Sequence, residues 1–323
     1  MRLPRSGPEL LQRIAERWRW FLYRVRFHPW TTNELPRILG TFGDYIDLTR
    51  LNRPIGIWLL LWPTLWAVWI AGRGKPDPRI FIVFVTGTVL MRSAGCAVND
   101  YADRSFDPHV ARTAERPLAA GRITTTEALI LFGVLALASL TLVLQLSKLT
   151  LLFALGGAFL AVTYPFIKRF LSVPQMYLGI AFGWGIPMAF AAELDHVPPV
   201  AWLFVLANMI WVTVYDTIYA MVDRDDDLRI GVRSTAILFG DSDRHIIAVL
   251  QALTILTLYL AGRQLNMGGW YYAGLIAGAL FFVRHLWMIR NRDREGCFRA
   301  FLDSHYFGLS VFIGILLNYQ FAH

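Results

Sequence analysis

Long apolar stretches alternate with short polar segments along the 323 residues of the chain. A helix that crosses a membrane needs roughly 20 mostly apolar residues, and nine stretches approach that length. They cover about residues 55–72, 80–99, 127–146, 149–167, 176–193, 199–222, 245–262, 268–288 and 304–321. The pattern therefore predicts an all-α polytopic membrane protein with nine transmembrane helices. The residues before the first stretch are polar and aromatic, which does not fit a cleavable signal peptide.

Residues 1–45 differ from the rest because arginines there are interleaved with tryptophan, tyrosine and phenylalanine. Basic and aromatic side chains together suit a helix lying on an anionic membrane surface, and a weakly ordered arm is the alternative. Residues 46–323 contain no linker-like segment, so we expect a single transmembrane domain there.

The composition agrees with a membrane protein, since 56% of the residues are hydrophobic and 17% are charged. A net charge of +8 could attract nucleic acid, but most of the 31 Lys and Arg fall on the N-terminal side and in alternate loops. Basic loops stay in the cytoplasm. We therefore predict the N-terminus inside, the C-terminus outside, and no nucleic-acid partner.

Two acid-rich segments stand at the ends of apolar stretches, on the same predicted side of the membrane. In the first, Asn99, Asp103 and Asp107 follow each other at intervals of four residues and would form one stripe on a helix, with Asp100 beside them. Like charges so close repel each other. A hard divalent cation such as Mg²⁺ relieves the repulsion because it prefers oxygen ligands. The spacing therefore indicates a metal site.

The second acid-rich segment repeats this pattern. Asp216, Tyr219, Asp223 and Asp227 share one helix face, and the last two are again four residues apart. Asp216 lies deeper in its stretch, where an ionisable group is costly and is a functional candidate by default. Two such segments facing each other would hold a diphosphate between metal ions. The alternative is that the acids cap helix ends and pair with nearby arginines.

Other binding sites fit the sequence poorly. An EF-hand loop that starts at Asp223 would have Leu228 where glycine is needed and Ser234 where glutamate is needed. No Walker A loop or nucleotide-binding glycine fingerprint occurs, and the histidines are scattered. A cation transporter is the alternative from another class, although it would need carboxylates distributed through the spans.

One arginine lies inside an apolar stretch. Arg92 precedes Asn99 by seven residues and should face a polar cavity or a partner carboxylate. Two interpretations stay open: an ion pair with Asp216, or a contact with an anionic group of a substrate.

Two pairs of cations border apolar stretches at the predicted cytoplasmic surface. Lys168 and Arg169 end the fourth stretch, and Arg50 and Arg53 precede the first. Each pair could contact phosphate or another anion. Each could equally be an anchor of the kind that cytoplasmic loops commonly carry.

Longer motifs surround these residues: NDYADRSFD (99–107), RTAERPL (112–118), YPFIKR (164–169) followed by Pro174-Gln175, and YDTIYAMVDRDDDLRIGVRSTAILFG (215–240). With them the chain resembles the UbiA-type intramembrane aromatic prenyltransferases over nearly all of residues 45–323. Within this family it is most similar to the bacterial branch that prenylates 4-hydroxybenzoate for ubiquinone biosynthesis. The resemblance implies nine helices around a central cavity, with cytoplasmic cap loops and a lateral opening for the lipid chain.

The resemblance also implies roles for individual residues. Two Mg²⁺ ions would be held, one by Asn99, Asp103 and Asp107 and the other by Asp223 and Asp227. The diphosphate would be bound by Arg116, Lys168 and Arg169, with Tyr164 nearby. The residues expected to be catalytic are Asp103, Asp107, Asp223, Asp227 and Arg169. Further members of the same motifs are Asp100, Asp216 and Tyr219.

The reaction implied is the Mg²⁺-dependent transfer of a polyprenyl group from polyprenyl diphosphate to the ring carbon ortho to the hydroxyl of 4-hydroxybenzoate. Asp223 is a candidate acceptor of the ring proton. From charge and placement, we expect Arg50, Arg53 or Arg92 to bind the benzoate carboxylate. The expected location is the bacterial inner membrane, with the active site on the cytoplasmic side and no obligate protein partner. A sibling enzyme acting on a naphthoate, homogentisate, haem or chlorophyllide is the alternative within the family.

Overall fold

The computed structural model describes residues 34–110, 112–167, 170–171, 173–231 and 233–321. Most of the predicted N-terminal arm and the cations Lys168 and Arg169 lie outside these residues. The described part contains helices and connecting turns but no β-strand. Its thirteen helices are α1 (Glu34–Thr49), α2 (Ile55–Ala71), α3 (Pro78–Asp103), α4 (Thr125–Val143), α5 (Lys148–Ile167), α6 (Pro174–Gly183), α7 (Gly185–Leu194), α8 (Pro199–Ile230), α9 (Thr235–Phe239), α10 (Asp243–Gln264), α11 (Gly269–Met288), α12 (Arg294–Asp303) and α13 (His305–Phe321).

Every predicted span coincides with helical residues, so the prediction of an all-α membrane protein is confirmed. In the described part of the chain, seven helical regions are long and apolar enough to cross a membrane. The helix α2, with 17 residues, is shorter, and α11 is not among the seven. The count of nine spans therefore stays a prediction.

Two long helices carry the acid-rich segments beyond the apolar layer. α8 has 32 residues, which corresponds to about 48 Å of helix, whereas the hydrocarbon core of a bilayer is about 30 Å thick. Its last turns therefore project past the lipid tails. Gly231 ends the helix with a φ of 72°, a left-handed conformation that glycine adopts without a steric penalty. α3 has 26 residues and begins with Asp77 as its N-cap.

One half of the bundle is densely packed. The buried rings of Trp66, Trp211 and Phe307 bring α2, α8 and α13 together, and the Trp66 indole donates to the Gly308 carbonyl at 2.9 Å. A Cβ at Gly308 would come within 2.8 Å of Trp62 and Trp211. Only glycine permits this close approach, so α2 and α13 are held together without a gap at this point.

The other half is more open. Only 17% of the apolar part of α4 and 11% of that of α5 are buried, against 67% for α8. These two helices present their apolar surfaces to the bilayer. Between them and the packed half lies the cavity that contains the candidate site.

Candidate active site

A cavity of about 1700 Å³ lies inside the bundle and reaches the ends of α3 and α8. It brings together residues that are distant in sequence and that the sequence pattern or the family resemblance predicts to share one site. Its wall includes Asn99, Asp103, Asp107, Asp223, Asp227, Arg116, Tyr164, Arg50, Arg53, Arg92, Asp216 and Tyr219. The two acid-rich segments therefore face one space, as a shared diphosphate ligand would require.

The first segment does not form the single helical stripe that its spacing predicts. α3 ends at Asp103, and Asp107 begins a separate 3₁₀ turn, Asp107–His109. Pro108 explains the break, because its ring would clash with the carbonyl of residue 104 in a continuing helix. Asn99 and Asp103 keep the predicted relation: the Asn99 amide donates to Asp103 Oδ2 at 3.0 Å.

Asp107 is buried and faces the cavity from this turn. Burial raises the pKa of its carboxyl above the usual value, and the charges of Asp100 and Asp103 raise it further, whereas Arg116 lowers it. The Arg116 guanidinium donates to Asp107 Oδ2 at 2.9 Å. The loop is closed by Thr113, whose hydroxyl donates to the Asp107 carbonyl at 2.8 Å. A second cation at this position would relieve the remaining repulsion between the carboxylates.

Asp100 lies behind the cavity wall instead of lining it. Its side chain is 1% exposed and accepts from Arg50 at 2.5 Å and from Arg116 at 3.1 Å. Arg50 has a φ of 56° in the turn between α1 and α2, and Arg116 lies in the loop after α3. Asp100 therefore orients two cavity arginines that come from different segments.

Arg112 makes an extensive contact with the second acid-rich segment. Its Nε lies 3.0 Å from both carboxylate oxygens of Asp223, and its terminal nitrogens contact Asp223 and the Tyr219 hydroxyl. The guanidinium also lies over the Tyr219 ring, 4.6 Å from its centre. That ring packs against Phe301 of α12, with 4.4 Å between centres. No role is predicted for Arg112 from the sequence, although it is the first residue of the RTAERPL motif.

Arg92 faces the cavity from the middle of α3. It donates to Cys96 Sγ at 2.8 Å and lies directly against Gly56 of α2. Asp216 lines the same cavity, but no ion pair within the described part of the chain joins it to Arg92.

The donors that line the cavity fit a hard divalent cation in chemical type. They are carboxylate and amide oxygens, which Mg²⁺ prefers, and the facing carboxylates of Asp107 and Asp223 already attract guanidinium groups. The described residues contain no preformed group of three or more acidic, histidine or cysteine side chains around a common point.

Comparison with known proteins gives matches that cover most of the chain. The model of the UbiA prenyltransferase family matches residues 60–313. The 4-hydroxybenzoate octaprenyltransferase of Ectopseudomonas mendocina (strain ymp) is 55% identical over 276 residues, which cover 85% of this chain and 93% of that protein. The protein of the same name from Aeromonas salmonicida (strain A449) is 54% identical over 275 residues, covering 85% of this chain and 95% of that protein.

Solved structures show the same fold. An apo UbiA homologue from Aeropyrum pernix K1 has a TM-score of 0.69 at 24% identity, covering 79% of this chain and 96% of that one. A UbiA homologue from Archaeoglobus fulgidus, bound to GPP and Mg²⁺, has a TM-score of 0.61 at 16% identity and covers 84% of this chain and 99% of that one.

Proposed function

The chain belongs to the UbiA prenyltransferase family, and on this basis we propose that it transfers a polyprenyl group from polyprenyl diphosphate to 4-hydroxybenzoate. The observation that carries the proposal is the convergence of both acid-rich segments and several arginines on one cavity. Curated relatives that share more than half of their aligned residues with it are named 4-hydroxybenzoate octaprenyltransferases. The product would enter ubiquinone biosynthesis, and the enzyme is a multi-pass protein of the bacterial inner membrane.

The cytoplasmic end of the cavity binds the diphosphate in this proposal. Arg116 and Arg112 face it from the loop after α3, and Tyr164 faces it from α5. Guanidinium groups suit this task because their planar fork matches phosphate oxygens. Lys168 and Arg169, which follow Tyr164 closely in sequence, are proposed to complete the diphosphate contacts.

Mg²⁺, when bound, supplies positive charge that stabilises the departing diphosphate. The residues proposed to hold one ion are Asn99, Asp103 and Asp107, and those proposed to hold the second are Asp223 and Asp227. The homologue from Archaeoglobus fulgidus has been solved with GPP and Mg²⁺ bound, which supports the use of this metal here.

Arg92 is proposed to bind the carboxylate of 4-hydroxybenzoate. Arg50 is also a cavity residue, but its guanidinium already contacts the buried carboxylate of Asp100. Arg53 is exposed at the rim, where a salt contact is weak. Arg92 lies in the middle of α3, where a charge inside the membrane is most costly. Binding an anion there would offset that cost.

The reaction follows from the proposed positions of the diphosphate and the benzoate carboxylate in the cavity. The C–O bond between the allylic carbon and the diphosphate breaks, and its electron pair leaves with the diphosphate. The ring carbon ortho to the hydroxyl attacks the allylic cation, forms the new C–C bond and releases its proton. Apolar side chains of the surrounding helices keep out water, which would otherwise capture the cation. Asp223 is the candidate acceptor of the ring proton, and Arg112 contacts both of its carboxylate oxygens at 3.0 Å.

The proposal is tested by incubating purified protein with 4-hydroxybenzoate, octaprenyl diphosphate and Mg²⁺, and measuring the product by mass spectrometry. We expect octaprenyl 4-hydroxybenzoate, loss of product with EDTA, and recovery when Mg²⁺ is restored. Product with a naphthoate or homogentisate in place of 4-hydroxybenzoate, and none with 4-hydroxybenzoate, would contradict the assigned acceptor. Mg²⁺ flux into liposomes without prenyl diphosphate would support a transporter instead.

The orientation is proposed from the distribution of basic loops: the N-terminus and the diphosphate end of the cavity inside, the C-terminus outside. Single cysteines introduced at exposed Arg104 and at Asn266 should be labelled from opposite sides of the membrane by an impermeant thiol reagent. Labelling of both from one side would contradict this orientation.

A further inference from the structure

Two buried polar groups in the cavity wall have no hydrogen-bond partner within the described part of the chain. They are the Oε1 atom of Gln175 on α6 and the hydroxyl of Tyr215 on α8. The two side chains are 4% and 1% exposed. A buried polar group without a partner costs free energy, so each is a candidate contact for a ligand in the cavity. Both residues belong to the long sequence motifs, but neither the spacing nor the resemblance gives them a role.

The alignment of α6 with α8 gives the depth of Gln175 in the cavity. A Cβ at Gly179 of α6 would meet the backbone of Met209 of α8 at 2.7 Å, so these two residues lie side by side. The two helices belong to consecutive spans and therefore run in opposite directions. Gln175 is one helical turn from Gly179 toward the acidic end, and it thus lies opposite the part of α8 between Met209 and Asp216.

Arg92 lies at a similar depth on another side of the cavity. It precedes Asp103 by eleven residues, and Asp216 precedes Asp227 by eleven residues, which is about 16 Å of helix in each case. Because the two acid-rich segments face the same end of the cavity, Arg92 and Asp216 share one layer. The helix of Arg92, α3, packs mainly against α4 and α2, whereas α6 packs mainly against α8 and α5. Arg92 and Gln175 therefore face the cavity from different sides.

The chemistry of Gln175 selects one group among those of the proposed substrates. An amide oxygen accepts hydrogen bonds, so its ligand must donate one. Ionised diphosphate and carboxylate groups only accept, and the isoprenoid tail has no polar group. The hydroxyl of 4-hydroxybenzoate is a donor. The Tyr215 hydroxyl is less selective, because it can donate to any of these polar groups.

We propose that Gln175 accepts a hydrogen bond from the hydroxyl of 4-hydroxybenzoate while Arg92 binds the carboxylate. The inference deepens the proposed function and rests on it, because it takes 4-hydroxybenzoate as the acceptor. The last torsion of a glutamine side chain is weakly restricted, so the amide can turn its oxygen to the ligand.

The shape of the acceptor agrees with two contacts from different sides of the cavity. The hydroxyl and the carboxylate stand at opposite ends of the ring, so one side chain holds each end. The ring is then fixed in its orientation toward the allylic carbon. The hydrogen bond to Gln175 also leaves more electron density on the hydroxyl oxygen, which favours attack by the ortho carbon.

The test compares 4-hydroxybenzoate with benzoate, which keeps the carboxylate and lacks the hydroxyl. Gln175→Leu removes the acceptor atom at similar size. Leu178→Met is the matched control, since Leu178 is also a buried residue of α6 in the cavity wall and the change keeps the volume. Three constants are measured for each purified full-length protein: KM for 4-hydroxybenzoate, KM for octaprenyl diphosphate, and the inhibition constant of benzoate against 4-hydroxybenzoate.

We expect Gln175→Leu to raise KM for 4-hydroxybenzoate by about tenfold, because one hydrogen bond to the hydroxyl is lost. The inhibition constant of benzoate and KM for octaprenyl diphosphate should change by less than about twofold. The control variant should keep all three constants. An equal rise for 4-hydroxybenzoate and benzoate, an unchanged KM for 4-hydroxybenzoate, or a rise in KM for octaprenyl diphosphate instead would overturn the proposed contact.

Two further measurements separate this proposal from other causes of lost activity. Thermal unfolding in detergent shows whether each variant is folded. If Gln175→Leu does not fold, Gln175→Met tests the same contact, since a thioether is only a weak acceptor. A folded wild type that gives no product with 4-hydroxybenzoate would contradict the proposed function itself.

Discussion

The Nε atom of Arg112 lies 3.0 Å from each carboxylate oxygen of Asp223, although 111 residues separate the two in sequence. This contact joins the loop after α3 to the last turns of α8. It brings the two acid-rich segments to the same end of the cavity and neutralises one of the carboxylates proposed to bind Mg²⁺. Arg112 also contacts Tyr219, so its position depends on two residues of α8.

The acids of both segments should be essential for prenyl transfer. We expect Asp103→Ala and Asp223→Ala each to reduce kcat/KM by about a hundredfold or more, because each removes a proposed ligand of the Mg²⁺ that would stabilise the leaving diphosphate. Asp225→Ala is the matched control, since its side chain is 73% exposed and its ion pair among the described residues is with Arg294 of α12. Activity like that of the wild type in either test variant, measured on folded protein, would contradict the metal assignment.

Arg112 should contribute to binding of the prenyl diphosphate. We expect Arg112→Ala to raise KM for this substrate by about tenfold, and Arg112→Lys to restore little of it, because an ammonium group cannot make the two-pronged contact. The measurement is steady-state kinetics at saturating 4-hydroxybenzoate. Arg104→Ala, which removes an exposed guanidinium near Tyr101, serves as the control. A variant with unchanged KM would show that Arg112 serves only to support α8.

Asp100 should matter for stability. Asp100→Ala leaves Arg50 without its buried partner and removes one of the two buried carboxylates that Arg116 contacts. We expect the free energy of unfolding to fall by about 3 kcal/mol. The comparison is Asp44→Ala, which breaks the exposed pair with Arg122 and should change it by less than about 1 kcal/mol. Both are measured by chemical denaturation in detergent. Similar losses of unfolding free energy in the two variants would show that the Asp100 contacts stabilise the protein no more than an exposed ion pair does.

Arg92 should recognise the acceptor by its carboxylate. We expect Arg92→Gln to raise KM for 4-hydroxybenzoate by about tenfold or more, with little change in KM for the prenyl diphosphate. A phenol that carries no carboxylate should react equally with the wild type and the variant. Gly56→Ala should have the same effect in weaker form, since its Cβ would displace the Arg92 side chain. A loss that is equal for both acceptors would refute this role.

Arg169, assigned from the sequence, should bind the prenyl diphosphate and not 4-hydroxybenzoate. Arg169→Ala is expected to weaken the use of prenyl diphosphate, with a rise in KM of about tenfold, and to leave KM for 4-hydroxybenzoate nearly unchanged. The two values are measured by varying one substrate while the other is saturating. Parallel changes in both would remove Arg169 from the diphosphate contacts.

Local patterns in the sequence were sufficient to predict the helices, because length and hydrophobicity decide whether a segment can lie in a bilayer. The predicted spans therefore coincide with helical residues almost to their ends. The spacing of Asp223 and Asp227 on α8 follows from the same short-range regularity. The same helical spacing did not predict the position of Asp107, because Pro108 interrupts the helix that the spacing assumes.

Contacts between distant segments could not be predicted from local patterns in the sequence. The spacing places Asp100 beside the stripe of Asn99 and Asp103, but it does not show that Arg50 and Arg116 contact Asp100 behind the cavity wall. The pairing of Arg112 with Asp223 likewise depends on how whole helices pack. Helix formation is governed by neighbours in the chain, whereas the partner of a charged side chain is set by segments that meet only after folding.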